Sequence, residues 1–156
     1  MPVEQEADMR VVSGKNFCAV EVGEFAQLGN YKLEVPALKR SVNGKLFLKQ
    51  FAGFTGMQMS MTKLPPGVSV PFYHAHKQNE EAYIFTGGKG QMQIDGEVFD
   101  VAEGTVVRVS PKGYRVVRNN SDADLYYICV QAKDGSLEQE TMEDGIRSDD
   151  PVNWPS

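Results

Sequence analysis

Cysteine and histidine are both scarce in this chain, with two of each among 156 residues. Cys18 and Cys129 lie far apart with neither metal-like nor redox-like spacing, which excludes a disulfide framework and leaves reduced thiols, the habit of cytoplasmic proteins. A long apolar run is also missing. No stretch approaches the roughly 18 residues of a membrane-spanning helix, and the opening Met1 to Asp8 is acidic where a signal peptide is basic and then apolar. The expected location is therefore cytoplasmic. Surplus positive charge is absent as well. The net charge is −5; residues 1–132 carry 14 Lys or Arg against 14 Asp or Glu, and residues 133–156 carry 2 against 7. A neutral body with an acidic tail offers no electrostatic footprint for nucleic acid or an anionic membrane, so the expected partner is a small molecule or a second copy of the chain.

Helical periodicity is lacking too, and what stands in its place has a period of two. In Met57-Gln58-Met59-Ser60-Met61-Thr62 three methionines occupy one face and three polar residues the other. Such a row either belongs to the core or lines an adaptable apolar pocket, since the thioether is flexible and polarizable. Further strands are read at Tyr31–Val35, Lys45–Gln50, Val68–His76, Glu81–Thr86, Gln91–Ile94, Glu97–Val101, Thr105–Val109, Tyr114–Arg118 and Leu125–Gln131. Asn43-Gly44 is a turn signal, and Asp95-Gly96 between two alternating runs predicts a tight hairpin. Short strands at close, even spacing imply an all-β sandwich or barrel over 31–132. Residues 1–30, broken by Gly14, Gly23 and Gly29, read as an irregular N-terminal extension with a short strand, and 133–156 as a loose acidic tail in which Trp154 is an obvious anchor for docking. An extension with strand-like pieces and no core of its own needs a sheet edge to cover, which a symmetric partner supplies; a homodimer is expected.

Both histidines fall in one stretch, His74-Ala75-His76, followed by Glu80-Glu81. Residues separated by one in extended chain share a face, so the two imidazoles converge on one point. Two polar strand residues would show the same pattern. A carboxylate at the start of the next strand can return to that point and complete a two-His, one-carboxylate metal set. Either Glu80 or Glu81 could supply it; Glu81 is preferred because it shares a face with Tyr83 and Phe85.

Gly67, His74, His76, Glu81 and Gly88 together resemble the first sequence motif of the cupin superfamily, with the first gap one residue longer than the family's. Gly104, Pro111-Lys112-Gly113 and Asn119 resemble its second motif, but Arg115 stands where the family carries a histidine. The resemblance covers about half of the chain, Gly56 to Ala132. It implies a double-stranded β-helix, or jelly-roll, cupin barrel, with His74, His76 and Glu81 as ligands for a divalent metal such as zinc, iron, nickel or manganese. Arginine cannot replace the fourth ligand, because its guanidinium offers only donors. It can instead clamp a carboxylate, which makes Arg115 a candidate substrate-binding residue and a small anionic organic molecule the expected ligand. By alternation, Tyr83, Gln91, Gln93, Tyr127 and Met59 are candidates for the pocket wall. Two functions compete on this reading. One is a metal-dependent enzyme; the other is a non-catalytic binding or sensing module in which an Arg–Glu pair replaces the full metal site. The fold does not choose between them.

Overall fold

The computed structural model describes residues 9–156; the acidic residues 1–8, and the reading of a missing signal peptide made from them, lie outside the described residues. In chain order the strands are β1 (Arg10–Ser13), β2 (Cys18–Glu21), β3 (Lys32–Val35), β4 (Arg40–Asn43), β5 (Lys45–Phe47), β6 (Gln58–Leu64), β7 (Asn79–Gly87), β8 (Lys89–Ile94), β9 (Glu97–Ala102), β10 (Val106–Val109), β11 (Arg115–Arg118) and β12 (Leu125–Lys133). One turn of helix, α1 (Lys49–Ala52), and two 3₁₀ segments, Phe25–Asn30 and Pro36–Leu38, are the helical content among the described residues. The chain is all-β, and every pairing between its strands is antiparallel.

A five-stranded sheet, ordered β10-β7-β12-β6-β5, and a three-stranded sheet, ordered β11-β8-β9, form a double-stranded β-helix. Backbone pairing does not join the two into a closed cylinder; β1-β2 and β3-β4 are separate hairpins. Alternation decides what lies between the sheets. Leu64, Tyr83, Phe85, Met92, Val101, Val109, Val117, Leu125, Tyr127 and Cys129 make one buried cluster, drawn from both sheets. The expected hairpin closes at Asp95-Gly96, both with positive φ (50° and 87°), and pairs Ile94 with Glu97. Gly88, the last glycine of the first motif, has φ 82°, and a Cβ there would run into the Asp124 carbonyl. Both facts require glycine.

A second cluster lies on the outer face of the larger sheet. Leu28, Tyr31, Leu46 and Leu48 are buried there, with Val20, Val22, Phe25, Met59 and Met61 packed against them. Met59 and Met61 of the methionine row are therefore core, covered by the N-terminal segment, while Met57 is exposed. That segment is better ordered than its glycines suggest, since β1 and β2 form a hairpin.

Several local expectations are corrected. Val68–His76 is not a strand; it makes only isolated bridges, Ser69 to Arg118 and His74 to Arg115, because Pro71 lacks the N–H that a ladder needs. Lys45–Gln50 stops at Phe47 and turns into α1. Asn43-Gly44 does not close a hairpin. β4 pairs back with β3 while β5 pairs with β6, so Gly44 carries the chain from one sheet to the next. Trp154 does not dock: it is 86% exposed, and no helix or strand follows Lys133.

The second cluster predicts that the N-terminal segment is part of the fold's stability. Leu28, 1% exposed and outside the strands, should cost about 3 kcal/mol when replaced by alanine, as buried leucines generally do. Urea unfolding of Leu28→Ala checks this.

Candidate metal and ligand centre

The register of the five-stranded sheet sets the centre. Glu81, Tyr83 and Phe85 alternate inward along β7, and Tyr83 lies opposite Cys129 on β12. Glu81 is 4% exposed, whereas Glu80 turns outward to Arg108, with Oε1 3.2 Å from Nε. The carboxylate of Glu81 is crowded. Its Oε1 accepts from the Tyr83 hydroxyl at 3.0 Å, and its Oε2 accepts from the Cys129 thiol at 3.1 Å. His76 Nε2 stands 3.3 Å from Oε1 and Arg115 Nε 3.4 Å from it, neither aligned as a hydrogen bond.

The histidines arrive on the loop that runs beside β11. The His74 amide donates to the Arg115 carbonyl (3.3 Å), the Arg115 amide donates back to the His74 carbonyl (2.9 Å), and the His76 amide donates to the Pro111 carbonyl (2.9 Å). These bonds hold the rings edge to face with centroids 5.1 Å apart. Donor atoms of His74, His76 and Glu81 all lie within 4.8 Å of one another. His74 Nδ1 and His76 Nε2 are buried without a hydrogen-bond partner. Burial, outweighing the opposing pull of the Glu81 carboxylate, lowers the His74 pKa below its usual value, so the ring stays neutral. Two imidazoles with uncommitted nitrogens beside one carboxylate fit a divalent cation.

Arg115 does sit beside Glu81, but the substrate-clamp role expected of it is corrected. It is 0% exposed; Nη1 donates to the His74 carbonyl (3.4 Å), Nη2 donates to the Ser110 carbonyl (3.0 Å), and Nε faces Glu81. Two of its donors hold the histidine loop, and the whole side chain is enclosed by the protein. Gln91 and Gln93 are corrected as well. Met92 fills the inner position of β8, so the glutamines flanking it face outward, where Gln91 bonds Asp100 and Arg118. Met59 belongs to the second cluster on the far side of β6. Tyr83 and Tyr127 face inward, with ring centroids 5.9 Å apart. Asn119, the last motif residue, is a turn staple: its amide donates to the Leu64 and Ala123 carbonyls at 2.8 and 2.7 Å.

Cys129, Thr62 and Lys45 are among the inward polar residues that escaped sequence reasoning. Cys129 follows Tyr127 on the same strand face and was legible by alternation. Thr62 shares the inner face of β6 with Ser60 and Leu64, opposite Tyr127. Lys45 gave no signal, because only the pairing of β5 with β6 sets it opposite Thr62 and turns it inward.

A model of the cupin domain matches residues 60–131. The solved structure of a cupin protein from Bacteroides fragilis is 41% identical with a TM-score of 0.66, over 70% of this chain and 95% of that one. The chain belongs to the cupin superfamily. A second similar structure, a predicted oxalate decarboxylase from Thermotoga maritima, is 25% identical with a TM-score of 0.53, over 61% of this cupin and 83% of that chain. An uncharacterized protein of Methanocaldococcus jannaschii is 29% identical over 77 residues, 49% of this chain and 62% of that protein; this cupin thus spans less than two thirds of that relative's length. No helix among the described residues is long and apolar enough to cross a membrane.

The surroundings of Cys129 predict its reactivity. Burial first, then the Glu81 carboxylate that accepts its proton, push the thiol well above the usual cysteine range, which suppresses the reactive thiolate. A thiol reagent applied to native protein should label the half-buried Cys18 and spare Cys129 until the fold is opened with denaturant; peptide mapping by mass spectrometry reads both sites.

Proposed function

We propose that this cupin binds a small anionic organic molecule in its barrel, next to a divalent cation held by His74, His76 and Glu81. The observation that carries the metal is the pair of buried imidazole nitrogens, His74 Nδ1 and His76 Nε2, left without hydrogen-bond partners beside one buried carboxylate. Buried polar atoms are nearly always satisfied, and two orphans converging on Glu81 call for a shared partner. A cation there would act as a Lewis acid on an oxygen-bearing ligand. The protein's own part is to keep His74 neutral, to fix both rings through the loop's bonds to Arg115 and Pro111, and to line the approach with Tyr83 and Tyr127. The name of the Thermotoga maritima relative, a predicted oxalate decarboxylase, agrees with a small carboxylate as ligand.

A metal-free binding module is the second reading, favoured by Arg115, whose Nε stands 3.4 Å from the same Glu81 oxygen. There a guanidinium balances the carboxylate in place of a metal. Elemental analysis of the purified protein separates the two. On the first reading wild type holds a divalent metal and His74→Ala/His76→Ala loses it. Arg115→His then binds metal more tightly than wild type, because it adds an imidazole and removes a competing cation. Wild type that stays metal-free after incubation with zinc, iron, nickel and manganese establishes the second reading.

The homodimer is also a proposal. Val11, Val12 and Phe17 of the β1–β2 hairpin are exposed at 47%, 38% and 60%, and β1 pairs with β2 alone among the described strands. An apolar hairpin with a free edge suits a partner's sheet. Light scattering should give twice the 17.3 kDa chain mass, and Val11→Lys with Phe17→Ser should shift the protein toward monomer.

A further inference from the structure

Arg115 is committed to the protein, so an incoming anion needs another cation. The inner face of the larger sheet supplies one. Lys45 and Thr62 are register partners of β5 and β6, and Thr62 is in turn the partner of Tyr127 on β12, so the three side chains stand in a row. They line the inner end of a cavity of about 110 Å³ between β6, the loop before His74 and the β3–β4 hairpin. The remaining wall is largely apolar, including Leu33, Val42, Pro71 and Phe72. Its charged lining residues are Arg40, Lys45 and Lys63, all cations, with no carboxylate among them.

Two of these groups lack partners. Lys63 pairs with Asp124 at 3.5 Å, but among the described residues no carboxylate lies within ion-pair distance of Lys45, whose Nζ stands 5.2 Å from the Phe47 ring centroid and feels the Glu81 carboxylate only at longer range. The Thr62 hydroxyl is buried, 4% exposed as a residue, and stands by the Tyr127 phenol without an aligned hydrogen bond. Lys45 is only half-buried by surface area yet is ringed by protein, because the surface it exposes lines this cavity; burial accordingly lowers its pKa. An ammonium without an ion-pair partner and a buried hydroxyl without an aligned hydrogen bond, both on the wall of a largely apolar cavity, are a costly arrangement without a ligand.

We propose that Lys45 and Thr62 form the recognition site for the carboxylate of a small organic acid whose hydrocarbon part lies under the β3–β4 hairpin. One ammonium and one hydroxyl match the single charge and two oxygens of a carboxylate; a phosphate dianion would ask for more donors. The volume sets the size, since an apolar cavity of roughly 150 Å³ accommodates benzene. An acid of a few carbons fits. Arg40 at the exposed end of the cavity draws the anion in by its field.

This inference rests on the proposed binding of a small organic anion but not on the metal, and its test keeps them apart. Butyrate and its neutral counterpart butyramide are titrated by NMR into wild type, Lys45→Met, Lys45→Arg, Thr62→Val and His74→Ala/His76→Ala. The expected result is saturable binding of butyrate and none of butyramide by wild type. Lys45→Met should weaken butyrate about tenfold or more, the size of one charge-assisted contact. Thr62→Val should weaken it less, while Lys45→Arg retains binding. The histidine double variant should lose metal but keep butyrate. Lys45→Met should melt at or above the wild-type temperature, since methionine replaces a desolvated amine without leaving a cavity, which confirms that lost binding is not lost folding. Unchanged butyrate affinity in Lys45→Met, equal binding of butyramide, or no saturable butyrate binding by wild type overturns the proposal. So does loss of butyrate with the histidines alone, which would place the anion on the metal centre. A wild type without metal that still binds butyrate through Lys45 overturns only the metal reading.

Discussion

Glu81 is a carboxylate placed where water cannot satisfy it, and much of the interior is arranged to do so instead. Tyr83 and Cys129 each give it a hydrogen bond from the sheet on which it stands, and Arg115 and His76 bring positive or polarisable groups from the opposite side. Those last two residues belong to the smaller sheet and its flanking loop. One carboxylate thus ties the two halves of the β-helix across a gap that backbone pairing leaves open. Removing one partner of such a buried group costs far more than the pair itself contributes, about 3–5 kcal/mol in comparable sites. The interaction is therefore a strong constraint on which residues can stand around it.

Arg115 is the clearest case of that constraint. At the position where the family carries a fourth imidazole, this cupin has a guanidinium that cannot ligate a metal but can bond two carbonyls and face a carboxylate at once. The histidine loop, which Pro71 prevents from pairing as a regular strand, is held in place by those bonds. A side chain that looks like a substrate clamp in sequence becomes an internal brace in space. The recognition of charge then passes to Lys45, which reaches the same interior from the opposite edge of the larger sheet.

The outer face of that sheet is governed by a different need. Met59 and Met61 point away from the centre, and so do Leu46 and Leu48, which leaves an apolar surface that strands alone do not cover. The N-terminal segment supplies the cover through Val20, Val22, Phe25 and Leu28. Its 3₁₀ turn at Phe25–Asn30 therefore owes its stability to packing, since so short a helix has little of its own.

Alternation of apolar and polar residues was enough to identify an all-β chain, to place most of the strands and to set the Asp95-Gly96 hairpin, because these depend on neighbours in sequence. The spacing of His74, His76 and Glu81 likewise showed a convergent set, and the shared face of Glu81 with Tyr83 pointed to the glutamate that faces inward. Alternation alone could not say which face of a strand is inside. Gln91 and Gln93 were read as pocket residues although Met92 between them is the inward one, and Met59 was placed on the wrong side of β6. Both errors have one cause: a strand has two equivalent faces until another layer covers one of them. Lys45 shows the same limit from the other direction. Its chemistry was visible in the sequence, but its inward orientation exists only because β5 pairs with β6 in one register, and that pairing is a tertiary fact.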